Sequence, residues 1–338
     1  MRKAFSESLL KVADADARVV FITADLGFQV FDDFRARHRA RYINVGVAEA
    51  QMVSLAAGLA AEGFRPVAYS IASFATARPF EQIRYTVAYP NLPVTLVGAG
   101  RGLTYATSGV SHHALDDLAL MSALPNMTVV IPGDPSELEQ LFPQVTQLPG
   151  PAYFTVGRFG EPRYEAEEPA VLGKARLLRS GCRLALLSTG EIANEVLRAR
   201  EWLQGQGITP AVYQFHTVKP LDTTTLAMVA QRLEALVVVE EHLPQGGLWA
   251  SVASWLATQD FPVRLVRLGP PDLFALGNLR REGFRHRFGF DAPAIAQACR
   301  GLWEAPRNGH RRAAVGPSAD RSRWADSTAV LEPVGHRL

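Results

Sequence analysis

The chain has 338 residues, 48% hydrophobic and 20% charged, with 35 basic side chains against 33 acidic ones. That length allows two domains, because single cores stop growing near about 250 to 300 residues. The balanced charge leaves no basic stripe for nucleic acid. Cys182 and Cys299 are isolated, without metal-ligand spacing or a disulfide framework, the amino terminus lacks a signal-like apolar core, and no apolar run approaches the roughly 20 residues of a membrane span. These features predict a cytoplasmic protein.

In chain order, residues 5–13 read as a short amphipathic helix and 18–24 (RVVFITA) as a buried strand ending in the turn Asp25-Leu26-Gly27. Asn44-Val45-Gly46-Val47-Ala48-Glu49 opens an apolar helix, with Glu49 in its first turn. Strands follow at 66–70, 93–98 and 126–131, with a helical segment over 71–84 and another helix from Pro135. Short apolar runs alternating with helices imply a parallel sheet covered on both faces, one α/β domain over 1–157. Residues 158–172 are polar and rich in Pro, Gly and Glu, which predicts a linker. Strands at 184–189, 210–215, 236–241 and 263–268 alternate with helices at 192–203, 248–256 and 293–303, giving a second α/β domain over 173–305. Residues 306–338 lose the apolar pattern and are predicted to be a disordered tail. The fold class is therefore α/β, with two doubly wound domains.

Three stretches carry candidate chemistry. A carboxylate in a helix's first turn complements the helix dipole, or, at the edge of a core with a polar partner, moves protons. Glu49 fits either description. Ser73-Phe74-Ala75-Thr76-Ala77-Arg78-Pro79-Phe80-Glu81-Gln82 offers Phe74 as an ordinary core aromatic or as a flat partner for a heteroaromatic ring. Arg101 to Asp117 holds His112 and His113; consecutive histidines rarely converge on one metal ion, and no Cys, Asp or Glu completes a ligand spacing there. Arg158 reads as a solvated linker arginine or as an anion-binding fork.

Taken together, these motifs resemble those of transketolases and 1-deoxyxylulose-5-phosphate synthases, from about residue 1 to 305. The resemblance implies that Glu49 hydrogen-bonds a ring nitrogen of thiamine diphosphate and favours its imino tautomer, and that Phe74 packs on the aminopyrimidine. It puts Ile71 where many relatives carry a second aromatic, and Asp25 and Leu26 next to the cofactor. His112 matches a histidine that touches the donor carbonyl oxygen. The loop departs from the family's Gly-Glu-Asp-Gly-Pro-Thr-His-Gln: Thr107 and Ser108 replace the acidic pair and His113 the Gln. A phosphate-binding histidine falls on Gly100, leaving Arg101 beside it as a substitute. Arg158 matches an arginine that binds a substrate phosphate or carboxylate. Ser108, His113, Arg101 and Arg158 are thus the substrate-binding candidates. Thr189-Gly190, Lys219-Pro220-Leu221-Asp222 and Glu240-Glu241-His242 are implied to be structural and to line subunit contacts.

The family holds the diphosphate through a metal ion on a Gly-Asp-Gly segment, and here only Gly133-Asp134-Pro135 comes near it. The chain therefore resembles the small subunit of a split transketolase. The resemblance implies a separate Gly-Asp-Gly-containing subunit that holds most of the thiamine diphosphate and its Mg2+ or Ca2+, in an α2β2 heterotetramer. Ala56, Ala57, Ala60 and Ala61 suit close helix packing, at that contact or in a core. The other readings are the β subunit of a 2-oxoacid dehydrogenase, a deoxyxylulose-phosphate-synthase-like enzyme, and a non-catalytic transketolase-like scaffold.

Overall fold

Strand periodicity shows directly in the packing. Val19 and Phe21 of strand β1 (Val19–Thr23) enter one core cluster, while Val20 and Ile22 enter another on the opposite face. A strand buried on both faces belongs to a sheet sandwiched between helices. This computed structural model describes residues 1–305 apart from Phe28, Phe159, Glu165 and Glu167. The tail expected over 306–338 lies outside the described residues.

The remaining strands, in chain order, are β2 (Tyr42–Asn44), β3 (Arg65–Ile71), β4 (Thr95–Ala99), β5 (Thr128–Val130), β6 (Ala152–Val156), β7 (Arg176–Arg179), β8 (Leu184–Ser188), β9 (Ala211–Gln214), β10 (Thr217–Lys219), β11 (Ala235–Val239) and β12 (Arg264–Leu268). They form a seven-stranded sheet, β10-β5-β6-β4-β3-β1-β2, and a five-stranded sheet, β12-β11-β8-β9-β7. Both are parallel except at one edge, where β10 and β7 run antiparallel to their neighbours. The two doubly wound α/β units expected from the alternation are therefore present.

Two features depart from the sequence reading. β10 comes from the second half of the chain but pairs with β5, Thr217 opposite Val130, so the first sheet is completed by a strand from beyond residue 173. Lys219 fixes this crossing by donating from Nζ to the carbonyl oxygens of Ser122 at 2.9 Å and Leu124 at 2.5 Å. A three-residue strand with one charged member gives no periodic signal. Second, the helical segment 71–84 is broken at Pro79 into a turn of helix over Ala72–Thr76, another over Phe80–Gln82, and a widened turn over Ile83–Ala88.

Residues 158–172 contain no helix or strand among the described ones, yet they are held to the first unit. The N–H groups of Tyr164, Ala170 and Leu172 donate to Asp134, Gln140 and Gln144 at 3.1, 2.7 and 2.9 Å. Ala56, Ala57 and Ala60 lie in the chain's own core, 0%, 6% and 5% exposed, whereas Ala61 faces outward.

Candidate active site

Register puts the carboxyl ends of four parallel strands along one edge: Thr23 lies beside Asn44 and Tyr69, and Ile71 beside Ala99. Loops leaving that edge are where α/β sheets build sites. Gly46, at φ +72°, takes a conformation that L side chains rarely adopt and turns the chain from β2 into the helix Glu49–Ala61. Asn44 braces the turn: its side-chain oxygen accepts from the N–H groups of Gly46 and Asp25, and its amide donates to Asp25, each at 3.0 Å. Asp25 and Leu26 are thereby held at the same edge, with Leu26 also bonded through its N–H to the Thr23 hydroxyl at 3.3 Å.

Glu49 is buried, with only 4% of its side chain exposed. Its carboxylate accepts from Ser70 Oγ at 3.3 Å and from Nη1 of Arg78 at 3.1 and 3.3 Å. Arg78 stands four residues after Phe74, on the turn that follows the short helix Ala72–Thr76. Its guanidinium carbon lies 3.8 Å from the centroid of the Phe74 ring. On this ring also converges His112, at 5.0 Å between centroids and a 64° tilt.

The His112 loop is closed at its base by paired backbone bonds between Gly102 and Ala114, 2.9 and 3.0 Å. Its tip is pinned by Ser73 Oγ donating to the Ser111 carbonyl at 3.0 Å, and the Ser111 hydroxyl lies 3.0 Å from His112 Nδ1. Partial burial, reinforced by the nearby charges of Arg78 and His113, holds His112 below the ordinary histidine range, so its neutral form prevails at pH 7. Tyr105 lies 6.0 Å from His112; Arg2 donates to its hydroxyl, and the Arg158 guanidinium stands 5.3 Å over its ring. Ile71 ends β3 half-buried, and Ser108 is exposed on the loop, its N–H bonded to the Tyr105 carbonyl at 2.9 Å.

Arg101 and His113 do not join this group. Arg101 is 2% exposed, ion-paired to Asp117 at 3.5 Å and donating to the Glu241 carbonyl at 3.2 Å. His113 is buried, with Nε2 3.0 Å from the Ala106 carbonyl oxygen and its ring against Phe284 at 6.0 Å. Both point into the junction of the two halves of the chain, Arg101 towards Glu241 and His113 towards Phe284. Buried guanidinium needs a carboxylate, and Asp117 supplies it inside the protein. Conversely, sequence reasoning gave no part to Arg78, Ser70, Tyr105 or Arg2. Only Arg78 carried a local signal, its four-residue offset from Phe74.

A buried carboxylate beside a flat apolar ring fits the aminopyrimidine end of thiamine diphosphate. Among the described residues no cluster of three or more His, Cys, Asp or Glu is placed to hold a metal ion.

Residues 1–159 match the family described as "Transketolase, pyrimidine binding domain", and residues 173–295 match "Transketolase, C-terminal domain". The chain belongs to the transketolase family. This transketolase-family chain is 37% identical to the 6-deoxy-6-sulfo-D-fructose transketolase subunit SqwH of Clostridium sp. (strain MSTE9), over 90% of its own length and 94% of the relative's. It is 32% identical to an apulose-4-phosphate transketolase subunit of Phocaeicola vulgatus, over 88% of its length and 95% of the relative's. The solved structure titled "Split gene transketolase, inactive beta4 tetramer" superposes with a TM-score of 0.80 at 30% identity, covering 89% of this chain and 97% of that one. The transketolase-family chain is thus built like the small subunit of a split transketolase. No described helix is long and apolar enough to cross a membrane.

Proposed function

We propose that the chain is the pyrimidine-binding subunit of a cytoplasmic, thiamine-diphosphate-dependent transketolase that moves a two-carbon unit from a ketose or 2-oxo donor to an aldehyde acceptor. A separate Gly-Asp-Gly-containing subunit completes the site in an α2β2 assembly and holds the diphosphate through Mg2+ or Ca2+. The observation that carries the reading is the buried Glu49 carboxylate set 3.1 Å from a guanidinium that lies over Phe74, at the carboxyl edge of a parallel sheet. A transketolase is favoured over a deoxyxylulose-phosphate-synthase-like enzyme because split transketolase subunits match across 94% and 95% of their own lengths.

When bound, thiamine diphosphate supplies the nucleophilic carbon that breaks and forms carbon–carbon bonds. Glu49, oriented by Ser70, holds a ring nitrogen and favours the tautomer able to take a proton. Phe74 and Ile71 wall the ring, and Asp25 and Leu26 close its side. His112, neutral at pH 7, donates a hydrogen bond or a proton at the donor carbonyl oxygen, where charge develops. Arg158, beside Tyr105, suits a phosphate, sulfonate or carboxylate on the substrate; the two split relatives are named for a sulfo-sugar and a sugar phosphate. Ser108 offers a hydroxyl where the family's loop is acidic.

The test is co-assembly with a Gly-Asp-Gly-containing partner and assay with ketose phosphates, sulfo-sugars and pyruvate. Glu49→Ala should lower kcat by about 100-fold or more and leave the assembly intact. Turnover of Glu49→Ala at the unsubstituted rate would sink both the site and the mechanism.

A further inference from the structure

Arg78 makes the two contacts that the proposed function assigns to the aminopyrimidine. Its Nη1 donates to both Glu49 oxygens, at 3.3 and 3.1 Å, and its guanidinium carbon lies 3.8 Å from the Phe74 centroid. A guanidinium is planar, delocalised and a donor at its edge, the properties of an aminopyrimidine that a carboxylate and an aromatic face would recognise. We propose that Arg78 is a placeholder that competes with the cofactor ring for Glu49 and Phe74, so that the ring binds only as the arginine swings out. The inference rests on the reading of Glu49 and Phe74 as the ring's contacts, and goes beyond it by giving the site an internal competitor.

Local structure supports a movable arginine. The helix that carries Phe74 ends at Thr76, and Pro79 blocks its continuation, so Arg78 stands on a short connection between two helical turns. Its side chain is 48% exposed, against 4% for Glu49. Leaving the site therefore returns the charge to water it already half contacts. Staying gives the buried carboxylate a counter-charge, which is otherwise costly to omit. Placeholder and ring thus satisfy the same buried acceptor in turn, and the carboxylate stays partnered in both arrangements.

An ion pair and a cation–π contact of this exposure together amount to a factor of about five to ten in a competing equilibrium. The experiment is calorimetric titration of the full-length chain, co-assembled with the Gly-Asp-Gly-containing partner that completes the site, with 4-amino-5-hydroxymethyl-2-methylpyrimidine, the ring without thiazolium or diphosphate. Arg78→Ala and Arg78→Gln should bind it about five- to tenfold more tightly than the unsubstituted chain. Raising salt from 20 to about 500 mM screens the ion pair, and so should tighten binding to the unsubstituted chain while leaving both variants unchanged. Thermal unfolding of the two variants verifies that each is folded. Equal or weaker binding by the folded variants overturns the proposal, weaker binding meaning that Arg78 holds the ring instead of excluding it. Glu49→Gln separates the two readings. If it abolishes binding while the arginine variants do not tighten it, the function stands and the placeholder falls. If no chain binds, or Glu49→Gln binds as well as the rest, the assignment of Glu49 to the ring falls, and the placeholder with it.

Discussion

The backbone N–H of Leu103 donates to Glu241 Oε1 at 2.7 Å, joining two positions 138 residues apart. Glu241 sits just past the end of β11, and its carboxylate also accepts from Nε of Arg281 and Nε of Arg285, each at 2.8 Å. One buried side chain therefore fastens the root of the His112 loop to the second sheet.

Glu241→Ala should cost about 3 kcal/mol in urea unfolding, because it leaves the Leu103 N–H without its acceptor and takes one of two carboxylate partners from both Arg281 and Arg285, which keep Glu191 and Glu195. Burial alone would raise this carboxyl, but the charges of Arg281 and Arg285 and the Leu103 N–H hold it at about 2. A carboxyl depressed in the folded state contributes stability above its unfolded value of about 4.5, lost as pH falls towards 2. The gap between the unsubstituted chain and Glu241→Gln should accordingly be widest at pH 6–7 and narrow by pH 3. A gap independent of pH would contradict the pairing.

Gly102 is the second anchor of the same junction. Its φ is +62°, and a Cβ added there would lie 2.4 Å from Glu241 Oε1. Gly46, with φ +72° and nothing within 4 Å of an added Cβ, isolates the backbone cost. Gly46→Ala should lose about 1 kcal/mol, and Gly102→Ala about 2–3 kcal/mol, since it also displaces the carboxylate. Equal losses in denaturant titrations would show that Glu241 yields freely.

Glu137 should give the opposite pH slope to Glu241. Burial pushes its carboxyl up to about 7, despite the Gly133 N–H at 2.8 Å and Arg176 at 3.4 Å. A carboxyl raised in the folded state makes the protein less stable as pH climbs from about 4.5 to about 7, with no further change above. Relative to the unsubstituted chain, Glu137→Gln should gain on the order of 2 kcal/mol between pH 5 and pH 8. Chemical unfolding at several pH values measures it, and a flat difference would refute it.

His112 provides a direct probe of its neighbours. Burial is the main cause of its lowered pKa and the Arg78 charge the next. In Arg78→Ala the imidazole should titrate closer to its ordinary value, without reaching it. A proton NMR titration of the C2 resonance reports this; no movement would mean that Arg78 does not sit where the ring contacts put it.

The elements legible in the sequence were those decided within a few residues. Alternating Val, Phe and Ile in β1 specify a doubly covered strand, and the turn Asn44-Val45-Gly46 specifies where the next helix starts, so Glu49's position could be read from local pattern alone. The Phe74 phrase was legible for the same reason, being one continuous segment. What the sequence could not decide was which buried groups find each other. Arg101 and Arg78 are both arginines beside candidate site residues, yet one pairs with Asp117 in the interior and the other reaches Glu49 at the sheet edge. β10 likewise joins the first sheet although in the chain it lies between β9 and β11 of the second. A side chain's local propensity is fixed by its neighbours in sequence, whereas the partner of a buried charge or an unpaired strand edge is chosen by which groups the packed sheets bring within a hydrogen bond. That choice exists only in the tertiary structure.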